Sequence, residues 1–126
     1  MQEHLNFSSF LKSKRQERGL TVRLTAEKIG VAVGYYCDLE SGRRNPPDKE
    51  TLDLIIGALM LLESDIKIFY DLAGKARSAA PPDLPEYINE NAVVRVALRI
   101  AKEKAGDDDW QRFIDSLERK ERYGQI

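Results

Sequence analysis

Residues 19–47 read GLTVRLTAEKIGVAVGYYCDLESGRRNPP, and this stretch decides the fold. Gly19 ends a preceding helix, as glycine does at the left-handed residue beyond a helix end. Thr21 stands where a hydroxyl caps the next helix. Val22, Ala26 and Ile29 follow at helical spacing and share one inward face, and Ala26 is small enough to let a neighbouring helix approach closely. Gly30 breaks that helix at a tight turn, where a positive φ is easily borne by glycine. A second helix starts near Val33, turns Tyr36 and Leu39 inward and stops at Gly42. Asn45-Pro46-Pro47 is a loop that blocks helix continuation. The pattern is helix, tight turn, helix.

Upstream, Phe7, Phe10, Leu11 and Lys14 repeat at i, i+3, i+4 and i+7, which predicts a first helix from Phe7 to Arg18. Downstream, Asp48 caps a fourth helix to about Leu61, with Leu52, Ile55, Ile56 and Leu59 inward. Ser64 or Asp65 opens a fifth, bearing Ile66, Phe69, Tyr70 and Ala73 and fading near Gly74. Ser78-Ala79-Ala80-Pro81-Pro82 is the clearest linker, and a short helix is expected between Asp83 and Asn91. Val93, Val96, Ala97, Ile100 and Ala101 then mark one apolar helix face, which Gly106 interrupts. Asp107, Asp108 and Asp109 open a last helix, where negative charge complements the helix dipole, and Trp110, Phe113, Ile114 and Leu117 line its inner face. No strand alternation or repeat is visible. The expected fold class is all-α: a five-helix domain over 1–77, a linker with a short helix over 78–91, and a helical hairpin over 92–126.

A hairpin this short can hardly bury both of its apolar faces alone. It is expected to pack on a second copy, on another protein or on the N-terminal domain, with self-association favoured. Val96, Ile100, Trp110, Phe113, Ile114 and Leu117 are the interface candidates.

The 126 residues suffice for one ordinary domain or a small domain with an appendage. No apolar run approaches the roughly 20 residues that span a bilayer. The N-terminus MQEHLNFSSF lacks the basic and apolar regions of a signal peptide, so a cytoplasmic protein is expected. Cys37 is the single cysteine, which excludes an internal disulfide. The single histidine, His4, reads as an exposed terminal side chain, and no second histidine exists to activate Cys37. No nucleophile–base set, phosphate loop or metal-ligand spacing is present, so no enzyme, cofactor or metal is expected. Net charge is −1, with a slight basic excess in the first fifty residues and an acidic one beyond. For a binder, the face that charges occupy matters more than their sum.

Two further features stand beside the helix–turn–helix pattern. Arg15 on the first helix and Glu40 at the end of the third fit a buried ion pair that locks one to the other. Arg43-Arg44-Asn45 follows the third helix, where a loop can reach a phosphate backbone. At this point the chain resembles the Cro/C1-type (XRE) helix-turn-helix family of regulators over about Phe7 to Leu62. The resemblance rests on Phe10-Leu11-Lys12, Arg15, Gly19-Leu20-Thr21, Ala26-Glu27-Lys28-Ile29-Gly30-Val31, Tyr35-Tyr36, Asp38-Leu39-Glu40, Gly42 to Pro47, and Leu52 with Ile55. It implies a lambda-repressor-like domain and a sequence-specific, dimeric transcriptional repressor on double-stranded DNA. More loosely, Pro81 to Glu118 resembles the C-terminal part of some regulators of this type.

By the family's pattern the tip of the third helix faces base edges. That makes Val33, Gly34, Tyr35 and Asp38 the base-contacting candidates, with Ala32 beside them, and Arg23, Lys28, Arg43, Arg44 and Asn45 the phosphate-contacting ones, joined by Lys49. The sequence departs from the family at Ala32, where Ser is frequent, and at Val33 and Gly34, where Gln or another polar residue is frequent. Polar bidentate base contacts are therefore scarce. Val33 fits a thymine methyl, Tyr35 a base or phosphate, and Asp38 either a cytosine amine or a bridge to Arg43. Val22 replaces a frequent phosphate-holding Gln, and Leu24-Thr25 replaces a polar residue followed by Leu, which is expected to weaken or re-register that packing. An alternative function is an antitoxin or adaptor-type interaction module that uses the C-terminal helices, with DNA binding secondary.

Overall fold

The computed structural model describes residues 6–123, with side chains through 120. His4 lies outside the described residues, as do 124–126 at the end of the expected hairpin. Among the described residues there are eight helices and no strand: α1 (Phe7–Glu17), α2 (Val22–Ile29), α3 (Val33–Ser41), α4 (Lys49–Leu59), α5 (Glu63–Ala76), α6 (Pro85–Glu90), α7 (Ala92–Lys104) and α8 (Asp107–Tyr123). They divide into two compact units, Met1–Pro85 and Glu86–Ile126. The division falls inside the 78–91 stretch read as a linker.

In the first unit, side chains cap the starts of α1, α2 and α4. Asn6 accepts from the Ser9 N–H at 2.8 Å, Thr21 from Leu24 at 3.0 Å and Asp48 from Thr51 at 3.0 Å. Each satisfies a backbone donor that the first helical turn leaves unpaired. Bonds from Thr51 also hold the Asp48 carboxyl below its ordinary range. The core takes Phe7, Phe10 and Leu11 from α1, Ala26 and Ile29 from α2, Tyr36 and Leu39 from α3, Leu52, Ile55 and Leu59 from α4, and Phe69, Tyr70 and Ala73 from α5. Phe69 sits at its centre, its ring 5.1 Å from that of Phe7 and 6.2 Å from that of Phe10. Ile56, Ile66 and Val22 are partly buried against this core.

Thr25 is fully buried, and its hydroxyl donates to the Thr21 carbonyl at 2.8 Å, while Leu24 is 40% exposed. A threonine can stand inside because the preceding helical turn accepts its hydrogen bond. α4 stops at Leu59 rather than Leu61, because Met60 takes a left-handed conformation with φ 51°. Arg18 holds that ending from the far side, donating to the Leu59 carbonyl at 2.8 Å and the Met60 carbonyl at 2.9 Å. Leu61, beyond the cap, turns back into the core.

The residues after α5 are not a free tether. The Ala79 N–H donates to the Gly74 carbonyl at 2.8 Å, folding 78–81 back over the buried end of α5. A Cβ on Gly74 would stand 2.8 Å from backbone atoms of Ala80 and Pro81, so only glycine permits this approach. Arg77 donates to the Pro46 carbonyl at 2.9 Å and ties the end of α5 to the loop behind α3.

In the second unit no described residue is buried. Asp109 accepts from the Gly106 N–H at 2.9 Å and fixes the start of α8. α7 and α8 line an open apolar groove of about 500 Å³ with Ala97, Ile100, Ala101, Trp110 and Phe113, and the Trp110 and Phe113 rings meet edge to face at 6.1 Å. Val96, Ile100, Trp110, Phe113, Ile114 and Leu117 are all exposed.

Candidate nucleic-acid interface

The site is built on α3. Gly30, with φ 89°, closes α2 in the left-handed region and lets the chain turn within two residues into α3. Tyr36 and Leu39 anchor α3 from beneath. At 100° per residue the opposite face carries Gly34, Cys37, Asp38 and Ser41, with Tyr35 at its edge. Gly34, Cys37 and Ser41 are exposed, and Asp38 and Tyr35 are partly so. Cys37 and Ser41 were not read as site residues from the sequence, although the same 100° step applied from Leu39 finds both.

α3 is bound to α1 by the expected ion pair. Arg15 Nε lies 2.6 Å from Glu40 Oε2 and Nη2 lies 3.1 Å from Oε1, a two-pronged contact. Arg15 Nη1 also donates to the Leu20 carbonyl at 2.8 Å. Both side chains are nearly withdrawn from water, at 12% and 9% exposed. The Glu40 hydrogen bond outweighs burial and raises the Arg15 guanidinium further above its usual range. Ser8 adds a second tie, its hydroxyl donating to the Leu39 carbonyl at 2.7 Å.

Tyr36 lies beneath this pair. Among the described residues no hydrogen bond of ordinary geometry reaches its hydroxyl, although that group feels the charges of both Glu40 and Arg15. Burial, and then the Glu40 carboxylate, push its pKa far above the ordinary 10.0. Tyr70 is raised likewise by burial and by Asp53, whose carboxylate accepts from the Tyr70 hydroxyl. Burial pushes the Asp53 carboxyl up, but Tyr70 and Lys49 together outweigh it and lower it. The stabilisation from both tyrosines is fully present below pH 10, where the unfolded phenols are protonated. It is lost as pH rises above 10, because the unfolded state then releases protons that the folded state retains. The urea midpoint is therefore expected to fall above pH 10, and Tyr36→Phe to reduce that alkaline loss. An identical alkaline profile in the variant would contradict this origin.

Beyond α3, Gly42 closes the helix in the left-handed region and the two arginines follow. Arg43 Nη1 lies 3.4 Å from Asp38 Oδ1, and Arg44 Nη2 lies 3.9 Å from Oδ2. The Arg44 guanidinium also stands 4.7 Å above the Tyr35 ring, a cation–π contact. Tyr35, Asp38, Arg43 and Arg44 thus form one exposed cluster. Asn45 is exposed beside it.

Arg23 borders a small groove with Ala32 and Val33 at the α3 tip. Val33 is half-buried against the core, and Gly34 faces open space. Ala32 gives α3 no side-chain cap, which leaves its first amides facing outward. Lys28 is not part of this group: it borders a separate groove with Arg18, Asp53 and Leu54. Lys49 pairs with Asp53 at 2.9 Å, also apart from the cluster.

A short helix presenting an outward face, pinned from below and flanked by basic loop residues, is the geometry of a DNA-binding helix-turn-helix. Residues 11–59 match the family model described as Helix-turn-helix. Within the first unit, residues 11–59 accordingly form a Cro/C1-type helix-turn-helix domain of the XRE family, a class of domain that binds DNA. A search of the curated proteins gave no match. Among the described residues no helix is long and apolar enough to cross a membrane.

Proposed function

We propose that the protein is a sequence-specific transcriptional repressor that acts in the cytoplasm as a dimer. α3 enters the major groove of double-stranded DNA, and Arg43 and Arg44 in the loop behind it clamp phosphates, with Arg23 and Asn45 as further backbone contacts. The observation that carries this reading is the outward face of α3, held rigidly by the two-pronged Arg15–Glu40 contact and bordered by two exposed arginines. Phosphate contacts set register and orientation, and the α3 face supplies base discrimination. Occupancy of a promoter then excludes polymerase. Selection of bound sequences from random DNA tests the reading. A palindromic consensus is expected; absence of any enriched sequence would overturn it.

The apolar faces of α7 and α8 support dimerisation, since no described residue of the second unit is buried. Replacing both Ile100 and Phe113 with aspartate is expected to convert a dimer to a monomer in sedimentation and to weaken binding to a palindromic site. A wild-type chain that sediments as a monomer would remove this part. The same faces favour a second reading, an antitoxin or adaptor whose C-terminal helices grip another protein. Co-purification of one stoichiometric partner would select it.

A further inference from the structure

The outward face of α3 holds few groups able to tell one base from another. Gly34 has no side chain. The Ser41 hydroxyl donates back to the Asp38 carbonyl at 3.3 Å. Cys37 offers a weakly polar thiol. The Arg44 guanidinium stacks over one face of the Tyr35 ring, and the phenolic hydroxyl is a weaker acceptor than a carboxylate. That leaves the Asp38 carboxylate, about one-third exposed, as the one strong acceptor on this face.

A carboxylate in a DNA groove is repelled by phosphate unless something compensates it. Here Arg43 and Arg44 stand at its two oxygens, 3.4 and 3.9 Å away. Exposed pairs of this kind are weakly held. Both arginines are more than half exposed and free to turn towards phosphate without unfolding anything. Once they turn, the carboxylate needs a new donor. Two bases supply one in the major groove, cytosine through its N4 amine and adenine through its N6 amine; adenine sets the N7 acceptor beside its amine, which repels a carboxylate, so cytosine fits best, while guanine and thymine present only acceptors.

We infer that Asp38 is the specificity-determining residue of α3, that it selects cytosine in each half-site, and that it holds back binding to all other sequences. The inference rests on the DNA-reading role proposed above. Through its two arginine contacts, the same residue links phosphate clamping to base choice: the arginines leave the carboxylate at little cost only where a cytosine amine replaces them.

The test is sequence selection and salt titration with wild type, Asp38→Asn and Asp38→Ala, each as the full chain. Asparagine keeps the shape and removes the charge, and its amide pairs with adenine N6 and N7. Asp38→Asn is expected to change one consensus position per half-site from cytosine to adenine and to bind unrelated DNA roughly tenfold more tightly. Asp38→Ala is expected to lose preference at that position alone. If Asp38 serves only to hold the arginines, both variants will weaken binding to every sequence and leave the consensus intact, which overturns the inference. So does a wild-type consensus without a cytosine that responds to the substitutions. If neither wild type nor the variants bind DNA at low ionic strength, the DNA-reading role itself fails, an outcome distinct from the other two.

Discussion

Glu40→Ala is expected to lower the stability of the first unit by about 3 kcal/mol, because it leaves the Arg15 guanidinium buried without its counter-charge. For a domain of this size that corresponds to a fall in Tm of more than roughly 10 °C. The attraction between the two charges is not the main source of the loss. Arg15 and Glu40 are only 12% and 9% exposed, so each has surrendered most of its hydration to meet the other. An apolar replacement of both partners removes the pair and the desolvation together. Arg15→Met/Glu40→Leu is therefore expected to recover most of the stability lost in the single variant. The Leu20 carbonyl, which loses its Arg15 donor, sets a small residual deficit. Thermal unfolding of the three variants checks the pattern. Equal losses in the single and double variants would mean that the contact stabilises through its own attraction. Because the pair joins α1 to α3, DNA binding by Glu40→Ala should fall at temperatures where the domain is still folded.

Arg43→Ala/Arg44→Ala is expected to weaken binding to every DNA sequence by roughly a hundredfold at moderate salt, and to reduce the slope of log affinity against log salt by about 2. Both guanidinium groups are exposed, and among the described residues they engage Asp38 and, for Arg44, the Tyr35 ring. Neither supports the core, so the variant should unfold at the wild-type temperature. Binding isotherms at several salt concentrations check the first expectation and thermal unfolding the second. An unchanged salt slope would remove both residues from the phosphate contacts. Lys28→Ala is a useful contrast, since its side chain borders a groove with Arg18, Asp53 and Leu54 rather than the arginine cluster.

Much of this was legible in the chain before any coordinates. Helices whose apolar residues repeat on one face, and whose ends carry Asn, Thr, Asp or Gly, announce themselves locally, and α1 to α4 are of that kind. The Arg15–Glu40 pair was legible because the helix–turn–helix order brings those positions together. What the sequence hid lies in particular hydrogen bonds that leave no periodic pattern. Nothing near Leu59 reveals that Arg18 donates to its carbonyl, and so the end of α4 was read two residues late. The folded-back 78–81 segment looked like a tether because a hydrogen bond to Gly74 leaves no compositional trace. The place of Thr25 in the core likewise rests on a single bond, from its hydroxyl to the Thr21 carbonyl one turn earlier. At the site, periodicity gave Asp38 and Tyr35 their face. It did not show that both arginines converge on one carboxylate, since loop residues follow no periodicity.

Cys37 has a practical consequence. It is the chain's sole thiol, and it sits in solvent on the strip of α3 between Gly34 and Ser41. A maleimide fluorophore would therefore attach at one known point without any engineering. A small dye there would report directly on whether that strip is occupied, and a bulky adduct would obstruct it, turning a residue with no chemistry of its own into a built-in gauge for the surface that matters most.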